Sequence, residues 1–165
     1  MRKDIDLPLT GKCSCGQVSY ELSEAPLFTH ACHCVDCQCS TGSAFVIHTL
    51  TTNSGFKISG ETKSTTLPTG SGAGYDANFC SKCGTFVWCE YHVAPKGFVV
   101  VRTGTLDKPN NIHPEAHIFT TQKLPWLSLP KDVPSFPEMY NRNETWPKAS
   151  NQIMDRLVAN AKTNT

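Results

Sequence analysis

Apolar residues occupy every second position of the segment QVSYEL (17–22), a period of two that predicts a half-buried β-strand. Two further segments, SAFVIHTL (43–50) and GFVVVRTGTL (97–106), are more continuously apolar and predict strands that are covered on both faces. FVWCEYHV (86–93) and EAHIFT (115–120) complete the strand pattern. The hydrophobic pattern therefore predicts a mainly β fold.

A helical pattern is found only near the end of the chain, where a short helix is expected at about 149–162 with Ser150 as its N-cap. The apolar residues that share one face of this helix are Ile153, Met154, Leu157, Val158 and Ala161. The preceding segment, 121–147, is rich in proline and aromatic residues. It is too hydrophobic for a free linker, so we expect it to wrap over the core.

The composition supports one domain built from short strands. The chain has 165 residues, including eleven glycines and eleven prolines, which favours strands and turns over long helices. We expect a single domain over 1–165 with its core at about 10–140. The segment TGSGAGYDANF (69–79) has alternate glycines but no G-K-[ST] ending, so it predicts a mobile loop before Cys80 and not a phosphate-binding loop.

The charge excludes some partners. With 15 Lys and Arg against 14 Asp and Glu, the net charge is only +1, which does not favour nucleic acid as a partner. No apolar stretch approaches eighteen residues, so no membrane insertion or export is expected and the protein is predicted to be cytoplasmic. Disulfides are rare in that reducing compartment, and an odd number of cysteines, nine, favours metal binding over a disulfide framework.

Two cysteine pairs have the spacing of a closed metal site. Cys13-x-Cys15 and Cys80-x-x-Cys83-Gly84 can each bring two thiolates to one face of a tight turn. Together they predict a Cys₄ structural zinc that joins the start of the chain to its middle. Such a site contributes free energy comparable to the stability of a whole domain.

A third group, Cys32, Cys34 and Cys37, offers three ligands. Three protein ligands leave one position open, which is typical of a metal that meets substrate, and that position would suit a soft, anionic donor such as another thiolate. Cys39 lies two residues further on and could close the site as a fourth ligand. His33 is expected to point away from the ligands.

The remaining cysteine and histidines have no ligand spacing. Cys89 is expected to be a buried core thiol. The other histidines are expected to be structural or exposed, with His117 in PEAHIF the most interesting of them; they are His30, His48, His92, His113 and His117.

Five motifs give the chain a recognisable family resemblance. GKCSCGQVSYEL, ACHCVDCQCSTGSAF, NFCSKCGTFVW, RTGTLDKP and PEAHIFTTQKLPWLSLPKDVPSF occur in the order and spacing of the glutathione-dependent formaldehyde-activating (GFA) family, also called the CENP-V domain family. The resemblance covers about 10–140. It implies an Mss4-like fold, with zinc-stabilised antiparallel β-sheets, and two zinc ions per chain. The same cysteines are implied as ligands: Cys13, Cys15, Cys80 and Cys83 for a structural zinc, and Cys32, Cys34 and Cys37 for a labile, catalytic one.

The resemblance also implies an activity. Family members are described as carbon–sulfur lyases that combine formaldehyde with a thiol, glutathione, to give S-hydroxymethylglutathione. The alternative is a zinc-stabilised module that binds a protein or carries glutathione without catalysis, and Cys39 as a fourth ligand would favour it. The sequence does not determine the oligomeric state, and a homodimer is one option.

Overall fold

The computed structural model describes residues 5–69 and 72–163. Their strands are β1 (Leu9–Lys12), β2 (Ser19–Leu22), β3 (Phe28–Cys32), β4 (Val46–Thr52), β5 (Phe56–Ser59), β6 (Thr62–Leu67), β7 (Tyr75–Cys80), β8 (Phe86–Tyr91), β9 (Phe98–Arg102) and β10 (Ala116–Ile118). Their α-helices are α1 (Val35–Thr41), α2 (Arg142–Thr145) and α3 (Lys148–Thr163). The mainly β prediction is confirmed.

The strands form two sheets, one of three strands in the order β1-β2-β5 and one of seven in the order β10-β3-β4-β9-β8-β7-β6. All pairs are antiparallel except β10 with β3, which is parallel. The sheets are thus mainly antiparallel, as expected, with one parallel pair at the edge of the larger sheet. After β9, residues 103–115 cross β4 and β3 to reach the edge of the sheet. Strand β10 therefore runs beside β3 and in the same direction.

Buried side chains form two clusters. One lies against the three-stranded sheet and includes Val18, Tyr20 and Leu22, which confirms the alternation in 17–22. The other includes Phe28, Leu50 and Val100 together with the apolar side of α3. Strands β4 and β9 are almost entirely buried, as their continuous apolar pattern predicts.

The segment 121–147 does wrap over the core. Phe136 donates its backbone N–H to the carbonyl of His117 (2.8 Å), which ties the segment to the edge strand β10. Tyr140 and Trp146 are buried against Phe28, with ring centroids 5.3 and 5.7 Å from it. This packing gives the proline-rich segment a structural role as a cover for the larger sheet.

The terminal helix is confirmed, but its N-cap and two shorter helices differ from the expectations. The terminal helix begins at Lys148, because the first helical hydrogen bond runs from the N–H of Asn151 to the carbonyl of Pro147 (3.0 Å). Ser150 therefore lies inside the helix, buried, and is not its N-cap. Helices α1 and α2 were not expected from the pattern, since neither has an apolar face.

The predicted loop 69–79 is also shorter than expected, since its second half is strand β7. Residues 70 and 71 of that loop lie outside the described part of the chain, as do residues 1–4 and 164–165 of the expected domain. Within the described part, no helix has the length and apolar character needed to cross a membrane.

Candidate metal centres

The first cysteine group lies where the two sheets meet. Cys13 follows β1 and Cys15 lies in the β1–β2 turn, whereas Cys80 ends β7 and Cys83 lies in the β7–β8 turn. The Sγ atoms of all four lie within 4.8 Å of one another. The Sγ–Sγ distances are 3.5 Å for Cys13–Cys15 and 3.8 Å for Cys15–Cys80. Any ion held here would join the small sheet to the large one.

Each pair sits in a tight turn that ends in a left-handed glycine. The N–H of Gly16 bonds to the carbonyl of Cys13 and that of Gly84 to the carbonyl of Cys80, both at 3.0 Å. Their φ angles are 77° and 72°, a region that residues with a Cβ rarely adopt. The two turns thus present their thiols in the same way, although one pair has C-x-C and the other C-x-x-C spacing.

The second group lies at the start of α1. Cys32 ends β3, Cys34 is the N-cap of α1, and Cys37 is in its first turn. The Sγ of Cys34 accepts a hydrogen bond from the N–H of Cys37 (3.4 Å) and lies 3.5 Å from the Sγ of Cys32. All three Sγ atoms lie within 4.8 Å of one another.

Hydrogen bonds of Gln38 hold the connection between β3 and α1, around which these cysteines lie. The side-chain amide of Gln38 donates to the carbonyl of His33 (2.7 Å) and to that of Gln122 (2.9 Å), and the Gln122 side chain accepts the N–H of Val35 (2.8 Å). The helix ends at Thr41 and is capped by Gly42, whose N–H bonds to the carbonyl of Gln38. The short helix is therefore held by its caps and by contacts with Gln122 of the segment 121–147, so its thiols have fixed positions.

The donor geometry of both groups fits a thiolate-bound metal. A tetrahedral zinc with Zn–S bonds of about 2.3 Å has S–S edges of about 3.7 Å. The measured distances of 3.5 to 3.8 Å match that edge, and all nine cysteines are free of disulfides. Both groups can hold a metal ion, as the sequence predicts.

The thiol pKa values in the second group are strongly unequal. Hydrogen bonds from the thiols of Cys32 and Cys37 lower the pKa of Cys34 to about 2. The hydrogen bond with Cys34 raises the pKa of Cys32 to about 12, and hydrogen bonds with Cys32 and with Cys34 raise the pKa of Cys37. Binding of a cation to these thiols therefore releases protons.

Cys39 is not part of the second group. Its side chain is exposed, and it is absent from the set of Sγ atoms within 4.8 Å of one another. The described residues thus supply three donors at this position. Cys89, by contrast, is fully buried in β8, and burial raises the pKa of its thiol to about 12, as expected for a core residue.

His33 is not part of the second group, as expected. It is fully buried, and its Nε2 lies 3.0 Å from Nδ1 of His117, which is also buried. The two rings therefore pack against each other, with centroids 5.2 Å apart. His92 and His113 are partly or fully exposed, and His92 pairs with Asp76 at 3.1 Å.

Sequence reasoning missed a row of buried polar residues across the large sheet. His30 on β3, His48 on β4 and Arg102 on β9 are partners in the strand register. Nε2 of His30 lies 3.2 Å from Nδ1 of His48, and Nη1 of Arg102 lies 2.7 Å from Nε2 of His48. Nδ1 of His30 lies 2.9 Å from the hydroxyl of Tyr140, which also accepts the indole N–H of Trp146 (2.9 Å).

Burial keeps the two histidines in this row neutral. It lowers the pKa of His30 to about 3, and it lowers the pKa of His48 as well, with a further contribution from the charge of Arg102. The only signal that could have found this row is strand register, because residues directly opposite one another on adjacent strands lie side by side.

Arg102 lines a cleft of about 440 Å³. Its guanidinium carbon lies 3.8 Å from the centre of the Phe86 ring, over the ring face. Residues that follow each cysteine group along the chain border the same cleft, Ser40 and Thr41 after Cys37 and Gly84 after Cys83. The other lining residues are apolar or glycine: Phe45, Val46, Ile47, Phe79 and Gly104.

Comparison with known proteins identifies the family. The family model described as glutathione-dependent formaldehyde-activating enzyme matches residues 8–122, more than half of the chain and all seven grouped cysteines. The protein therefore belongs to the GFA family. No curated protein matches the chain.

A similar solved structure is that of a Rhodobacter sphaeroides protein from a structural genomics programme, 21% identical in sequence. The match covers 64% of this chain and 91% of that one, with a TM-score of 0.46. The sequence identity and the TM-score are both low, so the family assignment rests on the sequence match to the family model.

Proposed function

We propose that the protein is a zinc-dependent enzyme that forms or breaks a carbon–sulfur bond in a thiol adduct. S-hydroxymethylglutathione, formed from formaldehyde and glutathione, is the adduct suggested by the family description. One observation carries the proposal: in a member of this family, the described residues bring three cysteine sulfurs together with no fourth protein donor. An open position of this kind suits a substrate thiolate.

The residues divide into two sets of ligands. Cys13, Cys15, Cys80 and Cys83 would hold a structural zinc between the two sheets. The second group, Cys32, Cys34 and Cys37, would hold the reactive one. Zinc bound there would supply Lewis acidity, which lowers the pKa of a thiol and stabilises negative charge on oxygen.

The proposed reaction needs no redox partner. The thiol sulfur attacks the carbonyl carbon, a C–S bond forms, the C=O π bond opens, and the thiol proton is transferred to the carbonyl oxygen. The chain's contribution is to orient the two reactants and exclude competing geometries. Helix α1 is suited to this, because Gln38 and the caps fix the three cysteines relative to the sheet.

The test is the rate of S-hydroxymethylglutathione formation or breakdown, measured by exchange NMR above the uncatalysed rate. The zinc-loaded protein should accelerate exchange. Cys34→Ser should stay folded, bind one zinc fewer and lose the acceleration, whereas the exposed Cys39→Ser should keep both zinc ions and full activity. Glutathione binding without acceleration would contradict catalysis and support a carrier, and Cys34→Ser with normal activity would contradict the assigned site.

A further inference from the structure

We propose that Arg102 is an anion-binding residue that holds the carboxylate of a small acid in the cleft beside Phe86. The further statement that this carboxylate belongs to the substrate thiol rests on the proposed function.

The first argument is the burial of an unpaired charge. Arg102 is only 5% exposed, and the ion pairs found among the described residues involve other side chains. Its Nε is buried and makes no hydrogen bond to any described residue. A buried guanidinium without a carboxylate partner is costly, so a protein that retains one has a use for its charge.

The second argument is orientation, which follows from proton positions. A guanidinium nitrogen can only donate, so Nη1 of Arg102 donates to Nε2 of His48, whose proton is then on Nδ1. That proton is donated to Nε2 of His30, and the Nδ1–H of His30 is donated to the Tyr140 hydroxyl oxygen. Every hydrogen bond in the row runs in one direction. The row therefore fixes the guanidinium without neutralising it.

The third argument is the shape of the site. The Phe86 ring lies 3.8 Å from the guanidinium carbon and supports one face of the group. The cleft of about 440 Å³ is mostly apolar around this one cation, a combination typical of small-molecule sites. A planar guanidinium suits a carboxylate, since two N–H groups can donate to its two oxygens.

The fourth argument is position. Thr41, which lines the cleft, donates its hydroxyl to the carbonyl of Cys37 (2.7 Å), so the cleft wall is joined directly to the second metal group. A short acid with a thiol at its other end can therefore extend from Arg102 toward the three cysteines. The substrate class that this predicts is a small thiol with a carboxylate a few bonds from its sulfur.

Binding is tested first without a free thiol, so that the result does not depend on catalysis. The probes are 3-(methylthio)propionate and its uncharged amide, titrated into zinc-loaded protein and followed by NMR. The acid should bind at least about 10-fold more tightly than the amide, the effect of a hydrogen bond to a charged group. Arg102→Gln should abolish this preference, whereas Lys82→Gln, at an exposed lysine two positions before Gly84 of the cleft lining, should retain it.

A second measurement uses the wild-type protein, so that the test does not depend on whether a variant folds. The Nε–H resonance of Arg102 should shift on addition of the acid and not of the amide. Equal binding of the two probes, no shift of that resonance, or a preference that survives Arg102→Gln would each overturn the proposal.

A second arm separates this proposal from the proposed function. Formaldehyde exchange is measured with 3-mercaptopropionate and with 3-mercaptopropionamide. If neither thiol is accelerated while the acid preference in binding persists, the enzyme proposal fails and the anion site stands. If both thiols are accelerated equally and no acid preference is found, the role of Arg102 is refuted and the enzyme proposal stands.

Discussion

Removal of one ligand from the first cysteine group should weaken the contact between the two sheets. Cys83→Ser is the cleanest change, because Cys83 is exposed and its replacement leaves the core packing intact. The metal link joins thiols 65 positions apart, as for Cys15 and Cys80. If a metal link restricts the unfolded chain as a disulfide does, closing a loop of that length contributes about 4 kcal/mol.

That loss is large beside a typical domain stability of about 5–15 kcal/mol. With a urea dependence of about 2 kcal/mol per molar, the unfolding midpoint should fall by about 2 M. Trp88 fluorescence is a suitable signal. This residue of β8 is 9% exposed and packs against Phe56 of β5, with ring centroids 5.5 Å apart, so it reports on the contact between the sheets.

The matched control is Cys39→Ser, which replaces an exposed cysteine outside both groups and should leave the midpoint unchanged. Zinc per chain should fall by one in Cys83→Ser and stay constant in the control. A Cys83→Ser protein with the wild-type midpoint and the wild-type zinc content would refute the structural role of the first group.

Three further predictions concern stability. Burial lowers the pKa of His30 from 6.5 to about 3, so the unfolded state binds the extra proton and this residue should lower the unfolding free energy by about 1.4 kcal/mol per unit as pH drops below 6.5. His48 adds a slope of the same sign, so urea titrations with excess zinc at pH 7 to 5.5 should show a smaller slope in His30→Gln than in the wild type, and an identical slope in the variant would be evidence against it. Gly60→Ala should cost about 3 kcal/mol or more, since its φ is 101° and a Cβ would strike the Gln17 carbonyl; Gly42→Ala, with φ 63° and open space, should cost about 1–2, and equal losses would contradict the clash. Trp146→Ala should lower the unfolding free energy by about 3–5 kcal/mol, because Trp146 is buried, and Trp126→Ala should lower it by less than about 0.5 kcal/mol, because Trp126 is 70% exposed. Similar melting temperatures for the two variants would contradict this difference.

The strands and the cysteine groups could be predicted because their signals are local. Alternation in 17–22 and the apolar runs of β4 and β9 reflect which faces of each strand are buried, and this can be read from the order of apolar and polar residues within the strand itself. The spacing within each cysteine group fixes a turn of the chain, so the pairs could be recognised from their sequence. That two pairs 65 residues apart come together was an inference from ligand number, and the structure confirms it.

Other features could not be predicted because they depend on contacts between distant parts of the chain. Helix α1 has one buried residue, Cys37, and is held by its caps and by Gln122 of the segment 121–147. The row of His30, His48 and Arg102 exists only once three strands are in register. The parallel edge strand depends on the long crossing from β9 to β10, which no local pattern encodes.

The most direct test of the account is the zinc content of the protein purified without added metal, measured again after mild chelation and during a glutathione titration. The account predicts two zinc ions per chain, of which one is removed easily and changes its spectroscopic environment when the thiol is added, as followed by X-ray absorption. Cys34→Ser should lack that ion. Two equally tight zinc ions that do not respond to thiol would contradict the open site at Cys32, Cys34 and Cys37, and with it the proposed enzyme.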